Sequence, residues 1–339
     1  MSSLLEVKHL NVDLNLPAGM LHAVRDVSFH VEKGQTLSLV GESGCGKSMI
    51  AMAIMGLLPP SGVCQAEKIA FEGHDLLKMD EKEMSTFRGA RMAMIFQEPM
   101  TSLDPCYTIG NQLVEALTEH RKVSSKEAKE RAVFLLEKVG ITGSSSRLKQ
   151  YPHQLSGGLR QRIMIAMGLM CGPSLIIADE PTTALDVTIQ AQIMGLLASI
   201  QQEFNMGMIL ITHDLGVVSR VADDVVIMYC GQVVETGNIK EIFKNPMHPY
   251  TRGLMDCIPV PGKTKPGEKL GSIPGIVPTP IGELWGCSFR SRCSFATSEC
   301  AARGLTMTKI SGERSFRCIH PRGAVMDGDE QKDAVMGEL

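Results

Sequence analysis

The eight residues from Gly41 to Ser48 constrain the fold of this chain more than any other stretch. They read GESGCGKS and match the pattern G-x-x-x-x-G-K-[ST]. A predicted strand precedes them and an apolar run that is predicted to be helical follows, which is the context this loop requires. Glycines let the backbone curl so that several N–H groups face one anion, and the helix adds its positive end. The loop therefore predicts a phosphate site in an α/β fold.

Two side chains of this loop carry the chemistry of such a site. Lys47 supplies a positive charge for the outer phosphates, and Ser48 supplies an oxygen for Mg²⁺. The alternative is a glycine-rich turn without a ligand. The candidate nucleotide-binding residues are Gly41, Glu42, Ser43, Gly44, Cys45, Gly46, Lys47 and Ser48.

A second motif, LIIADE, spans residues 175–180 and reads as a buried strand that ends in two acids. Asp179 is placed to hold Mg²⁺ through water, and Glu180 to polarise an attacking water. Ordinary solvated acids at a strand end are the alternative, and the phosphate-binding loop argues against it. The sequence thus predicts an ATP-hydrolysing site.

The chain alternates strand-like and helix-like segments, which implies an α/β sheet with a helical insertion. A Lys33-Gly34 turn divides one of the strand-like segments, and residues from about 109 to 172 have the sequence pattern of helices. Strands are predicted at 4–10, 27–40, 67–72, 92–96, 175–179 and 206–212, and a helix at 187–203.

Composition excludes several other classes of protein. The formal charge of the 339 residues is −3, so no overall basic field points to nucleic acid. Aromatic residues make up 4%, too few for a surface that stacks single-stranded bases. No stretch is long and apolar enough to span a membrane, and the N-terminus carries no secretory signal. The protein is expected in the cytoplasm.

Three further pieces complete a recognisable set. Gln97 follows the predicted strand MAMIF, and His213 ends the predicted strand MGMILIT. The segment LSGGLRQR at 155–162 begins a predicted helix with two glycines. With the ALD of 184–186, these pieces resemble the nucleotide-binding domain of ATP-binding cassette (ABC) transporters. The resemblance spans residues 5 to about 240. It implies a P-loop fold with a mixed sheet, a helical insertion subdomain and a loop-rich C-terminal appendage.

The resemblance also assigns roles within a head-to-tail pair of such domains with two ATP molecules between them. Glu180 would be the general base, His213 would hold the γ-phosphate and water geometry, and Gln97 would join the Mg²⁺ site with Ser48 and Asp179. Asp186 would form the D-loop. The residues expected to contact the partner's ATP are Ser156, Gly157, Gly158 and Gln161.

Two positions leave questions within that assignment. The family often stacks adenine on an aromatic residue shortly before the first domain strand, whereas residues 19–24 here offer Leu21 or His22 and no Tyr or Phe. Cys45 lies beside Lys47 and a helix N-terminus, a setting that lowers a thiol pKa. Cys45 is therefore either a reactive thiol or a small residue that the loop tolerates, and the second interpretation is favoured.

Four of the ten cysteines are bunched near the C-terminus with the spacing C-x5-C-x6-C-x17-C. Four thiolates can hold zinc or an iron–sulfur cluster, and free thiols are the alternative. The segments PMHPYT at 246–251 and PGIVP at 274–278 resemble those of the D-type ATPase subunits in the oligopeptide/dipeptide importer branch of the family. That resemblance implies a [4Fe–4S] cluster on Cys287, Cys293, Cys300 and Cys318.

The resemblance divides the chain into three parts. An ABC domain is expected at 4–257, with its helical subdomain at about 98–172, then the C-terminal region at 258–322 and a disordered tail at 323–339. The implied function is the ATPase of a bacterial di-/oligopeptide importer at the cytoplasmic face of the inner membrane. Its implied partners are a second ATPase, two permeases and a substrate-binding protein, with no nucleic acid.

Three alternatives to that function remain. The same machinery could import nickel, glutathione or another small solute. A non-transport ABC ATPase could act on DNA or ribosomes. A redox regulator could combine the cysteines with a degenerate ATPase.

Overall fold

A computed structural model describes residues 3–97, 102–183, 185–258, 271–282, 284–302 and 304–321. The tail predicted at 323–339 lies outside the described residues, as do residues 259–270 of the predicted C-terminal region. The strands are β1 (Leu5–Leu16), β2 (Gly19–Val31), β3 (Thr36–Val40), β4 (Gly62–Gln65), β5 (Lys68–Phe71), β6 (His74–Asp75), β7 (Met92–Ile95), β8 (Leu175–Asp179), β9 (Gly207–Thr212), β10 (Asp224–Tyr229), β11 (Gln232–Asn238), β12 (Thr308–Ser311) and β13 (Arg314–Phe316).

Helices occupy much of the remaining described chain. Short 3₁₀ turns lie at Leu76–Lys78, Pro152–Gln154 and Ser298–Ala301. The α-helices are α1 (Lys47–Met55), α2 (Glu81–Phe87), α3 (Ile109–Thr118), α4 (Ser125–Lys138), α5 (Ser144–Arg147), α6 (Gly157–Gly168), α7 (Val187–Phe204), α8 (Leu215–Val221), α9 (Ile239–Lys244) and α10 (Pro249–Asp256).

The strands form two sheets. An antiparallel sheet has the order β2-β1-β5-β6, with β4 also paired to β1. A mixed sheet has the order β12-β13-β11-β10-β3-β9-β8-β7. Its pairs from β10 to β7 are parallel and those from β10 to β12 are antiparallel. The mixed α/β class predicted from the sequence is therefore confirmed.

Strands β3, β8 and β9 are buried along their whole length. Their apolar side chains contribute to the cores on both faces of the mixed sheet, which explains why these segments read as continuous apolar runs. One core includes α1 and the antiparallel sheet, and the other includes the insertion helices α3, α4 and α6.

Three helices of the insertion, α3, α4 and α6, begin with a hydroxyl side chain as the N-cap. The Ser124 hydroxyl accepts a hydrogen bond from the Glu127 N–H, and the Glu127 side chain accepts one from the Ser124 N–H, which forms a capping box at α4. Four buried residues of α4, among them Leu135 and Leu136, face the core. In the part of the chain described, no helix is long and apolar enough to cross a membrane.

Some elements differ from the sequence prediction. The first strand was predicted to end at residue 10, but β1 and β2 form one long hairpin through Leu16 and Gly19. Strands β10 and β11 were not predicted. The described residues within 271–321 are loop-rich, as expected, but β13 pairs with β11 and so extends the mixed sheet.

His248 caps α10 and is 1% exposed. Its Nδ1 accepts a hydrogen bond from the Tyr250 N–H, so the imidazole is neutral with its proton on Nε2. Burial lowers the pKa of His248 to about 3. Protonation of the folded chain would break the cap and leave a buried charge.

We expect this buried imidazole to make folding stability depend on pH. Unfolded chains bind the proton below about pH 6.5, whereas the folded chain stays neutral down to about pH 3. Its contribution to the unfolding free energy is therefore nearly constant well above pH 6.5 and falls as the pH drops below that value, by on the order of 1 kcal/mol between pH 7.5 and 5.5. Urea unfolding of the wild type against His248→Asn, which keeps a cap acceptor, should reveal that difference. Equal pH slopes would contradict it.

Candidate active site

The phosphate-binding loop follows β3 and leads into α1. Gly46 has φ +99°, and a Cβ there would lie 2.2 Å from the backbone oxygen of Ala23, so only glycine fits. The Lys47 side chain is buried, and its Nζ donates to the backbone oxygens of Gly41 at 2.7 Å and Glu42 at 3.1 Å. These contacts hold the lysine within the loop and curl the backbone around it.

The ends of β3 and β8 meet beside that loop. The Ser48 hydroxyl donates to Asp179 Oδ1 at 3.0 Å, which joins the two side chains predicted to form the Mg²⁺ site. Burial raises the pKa of Asp179, the Glu180 charge adds to that rise, and the Ser48 hydrogen bond opposes it. Hydroxyl and carboxylate oxygens are donors that suit Mg²⁺, so the residues present fit this ion.

Glu180 lies one residue beyond β8 and adopts φ +44°, a left-handed conformation that is uncommon for a residue with a Cβ. Its Oε2 accepts hydrogen bonds from Gln97 Nε2 at 3.2 Å and from the Thr183 hydroxyl at 2.9 Å. His213 Nδ1 is 3.6 Å from the same oxygen. The three candidate catalytic residues were predicted from separate segments. The structure places two of them, Gln97 and His213, beside one carboxylate oxygen of the third, Glu180.

Parallel pairing explains this convergence. Val40 of β3 pairs with Thr212 of β9, and Asp179 of β8 pairs with Ile211 of β9. The loops after these strands consequently emerge at the same edge of the sheet, where open α/β sheets bind ligands.

The LSGG segment forms the start of α6. The Ser156 hydroxyl caps this helix by accepting a hydrogen bond from the Leu159 N–H at 3.4 Å. Ser156 and Gly157 are exposed, and Gly158 is partly exposed. Gln161 differs from them, because it is 1% exposed and its Nε2 has no hydrogen-bond partner among the residues that the structure describes.

Asp186, the residue predicted for the D-loop, caps α7 by accepting a hydrogen bond from the Ile189 N–H at 2.9 Å. The start of α7 packs against the LSGG segment, since a Cβ on Gly158 would lie 3.1 Å from Ile189 Cγ2. Val187 is 81% exposed beside it. Ala184, the first residue of the predicted ALD, lies outside the described residues.

The candidate adenine residues lie at the start of β2. His22 Nδ1 is 2.7 Å from Asp13 Oδ1, so its ring is tied to the neighbouring strand. Leu21 forms a backbone β-bridge with Ile281 of the C-terminal segment, by which we mean the described residues within 271–321. The described contacts thus engage the His22 side chain and the Leu21 backbone within the fold.

The four bunched cysteines line one small cavity together with Phe289 and two histidines. Burial raises the pKa of Cys287 and Cys293, and raises that of Cys318 to about 11. Within the described ranges, no three His, Cys, Asp or Glu side chains are placed to hold a metal ion. The thiols are therefore brought together as predicted, but not as a formed ligand set, and the expected cluster is not supported by this arrangement.

Sequence reasoning missed the contacts that join the loop to Tyr250 of α10 and to Arg292 of the C-terminal segment. Arg292 Nη1 lies 2.6 Å from Glu42 Oε2, and the Glu42 N–H donates to the Tyr250 hydroxyl at 3.0 Å. These residues are 250 and 208 positions apart, and no local pattern marks either pair.

The fold and this site define an ATP-binding cassette. The model of the ABC transporter family matches residues 24–183, and that of the oligopeptide/dipeptide transporter C-terminal region matches residues 234–300. The chain is 47% identical to the dipeptide transport ATP-binding protein DppD of Escherichia coli, over 94% of this chain and 97% of DppD. It is 48% identical to the oligopeptide transport ATP-binding protein AppD of Bacillus subtilis, over 94% and 97%.

Solved structures agree with these relatives. The chain is 25% identical to the ATP-binding cassette MJ0796, solved as a dimer in a post-hydrolysis state with ADP and Pi, with a TM-score of 0.62 over 69% of this chain and 98% of that one. It is 29% identical to CbiO1 of Clostridium perfringens, with a TM-score of 0.61 over 72% and 91%. This chain belongs to the ABC transporter ATPases of the oligopeptide/dipeptide transporter family.

The reactivity of Cys45 tests whether its side chain is buried within the phosphate-binding loop. Its side chain is 1% exposed, and burial raises its thiol pKa although the Lys47 charge acts in the opposite direction. This favours a tolerated small residue over a reactive thiol. In native protein treated with N-ethylmaleimide, mass mapping should find exposed Cys106 labelled first and Cys45 labelled only after unfolding. Labelling of Cys45 at the rate of Cys106 would contradict this.

Proposed function

We propose that this chain is the ATP-hydrolysing subunit of an importer of di- and oligopeptides. The observation that carries the hydrolytic part is the convergence of Gln97, Thr183 and His213 on the Glu180 carboxylate, beside the loop that holds Lys47. The peptide substrate is supported by the names of the relatives DppD and AppD and by the match to the oligopeptide/dipeptide C-terminal region.

In the proposed reaction, Glu180 accepts the proton of the attacking water, and His213 orients the water and the γ-phosphate. Lys47 and the loop N–H groups neutralise the outer phosphates. Mg²⁺, held by Ser48, Asp179 and Gln97, would supply charge neutralisation for the phosphate oxygens.

The LSGG segment is proposed to act on a second nucleotide. The exposed N-terminus of α6 is an anion site in which Ser156, Gly157 and Gly158 are free to meet the partner's ATP. Exposed Val187 beside it fits a surface that is covered by the second ATPase subunit. The buried side chain of Gln161 is not included in this contact.

The proposed assembly places this subunit at the cytoplasmic face of the inner membrane, with a related second ATPase, two permeases and a substrate-binding protein. Residues 4–257 would form the cassette, with 98–172 as its helical subdomain and 258–322 as its C-terminal region. The hydrogen bond from Gln97, which follows β7 at the entry to the insertion, provides a route from the ATP site to the permeases.

The reconstituted transporter tests this function. ATP hydrolysis should rise when the binding protein is loaded with a dipeptide or short oligopeptide. Glu180→Gln should lower kcat by about 10²–10⁴-fold while MgATP still binds, because only the base is lost.

The surface variant Glu130→Gln is the matched control and should hydrolyse ATP like the wild type. Stimulation by Ni²⁺ or glutathione, with none by peptides, would contradict the substrate. Stimulation by nucleic acid without permeases would contradict the transport role, and full activity of Glu180→Gln would contradict the catalytic assignment.

We also propose that the cysteine cavity holds a [4Fe–4S] cluster. Four soft sulfur donors line one cavity, and two of the sulfurs accept backbone N–H groups, from Thr297 to Cys300 at 3.5 Å and from His320 to Cys318 at 3.3 Å. Binding would require the thiols to lose their protons and to draw together, because they are not now arranged as ligands.

Anaerobic purification tests the cluster. We expect about four iron and four sulfide ions per chain, a broad absorbance band, and loss of both in Cys318→Ser but not in the control Cys257→Ser, whose thiol is outside the cavity. Stoichiometric zinc, or no metal in the wild type, would contradict the cluster and leave the ATPase proposal standing.

A further inference from the structure

The second residue of the phosphate-binding loop, Glu42, is held by three hydrogen bonds from outside the loop and by one from Lys47 within it. The Glu42 carboxylate accepts two hydrogen bonds from Arg292, at 2.6 and 3.0 Å. The Glu42 N–H donates to the Tyr250 hydroxyl at 3.0 Å, and the Glu42 backbone oxygen accepts from Lys47 Nζ at 3.1 Å. The side chain of this variable motif position therefore faces the C-terminal segment rather than open solvent.

The Arg292 side chain is 4% exposed and all its donors are used. Besides Glu42, its guanidinium donates to the Tyr229 hydroxyl at 3.4 Å and to the backbone oxygens of Ile273 at 3.0 Å and Pro274 at 2.9 Å. Five N–H groups thus meet five acceptors, the full capacity of a guanidinium. Paired, charge-assisted bonds of this kind fix geometry as well as contribute energy.

The surroundings keep this ion pair rigid. The Tyr229 ring packs edge-on against Tyr250 at 4.8 Å and Phe289 at 5.2 Å between ring centroids. Tyr229 and Tyr250 are fully buried. A Cβ on Gly275, which has φ +87°, would lie 3.1 Å from Arg292 Cγ, so the backbone wraps closely around the arginine.

We propose that Arg292 is a positioning residue for ATP binding, which acts through Glu42 to hold the loop and Lys47 in the shape that receives the phosphates. The C-terminal segment thereby sets the affinity of the cassette for MgATP. Hydrolysis itself depends on Glu180, which Arg292 does not contact. The expected signature is therefore a weaker affinity with an unchanged chemical step.

Calorimetric titration of the full chain with MgATP tests the proposal. Arg292→Gln should raise Kd about tenfold. The control Arg290→Gln should leave Kd unchanged, because the hydrogen bond described for this arginine of the same turn goes to the Trp285 backbone oxygen and not to Glu42. In steady-state assays of the transporter, KM should rise while kcat stays within about twofold. A general loss of structure would lower kcat as well.

A double-mutant cycle assigns the effect to the pair. Glu42→Gln should weaken binding, and adding Arg292→Gln should cost little more, because the two changes remove one interaction. Arg292→Lys keeps the charge but loses the paired bonds, so its Kd should lie between those of the wild type and Arg292→Gln.

Removal of a buried ion-pair partner can unfold a protein. If Arg292→Gln does not fold, the Kd of Arg292→Lys tests whether Arg292 affects ATP binding. Wild-type affinity in Arg292→Lys and in any folded Arg292→Gln would overturn the proposal. Fully additive losses in the cycle would also overturn it, because Arg292 would then act by a path other than Glu42.

Discussion

Parallel hydrogen bonding among β3, β8 and β9 brings the phosphate-binding loop, Glu180 and His213 to one edge of the mixed sheet. A parallel pair shifted by one residue would turn each buried side chain to the opposite face. The register is therefore fixed by the cores on both faces of the sheet, and this register in turn fixes the positions of the loop, Glu180 and His213. Catalytic geometry in this cassette is a consequence of apolar packing some distance from the ligand.

The site also stores local strain. Glu180 occupies a left-handed backbone conformation, and its carboxylate is held by hydrogen bonds from Gln97 and Thr183. Such a conformation persists when the surrounding contacts determine it strongly. Gln97 adjoins the entry to the helical insertion, so a shift there would act directly on the carboxylate proposed as the base.

Much of this arrangement could be predicted from the sequence, because several candidate residues lie at the ends of buried strands. The loop at 41–48 and His213 directly follow such strands, and Asp179 ends one. The β1–β2 hairpin was underestimated because its outer half carries polar and partly exposed residues without a clean alternation. The Arg292–Glu42 pair could not be predicted, since a single ion pair across 250 residues leaves no periodic signal.

The C-terminal segment completes the mixed sheet, because β13 pairs with the edge of β11 and the short, exposed β12 with its Lys309 becomes the outer strand. Short edge strands that carry charge resist unwanted pairing with other chains. A chimera that joins this cassette to the C-terminal segment of a relative would therefore need to match two junctions at once. It would have to cover the β11 edge and to supply an arginine for Glu42. The segment and the cassette therefore depend on each other at both junctions and behave as one structural unit.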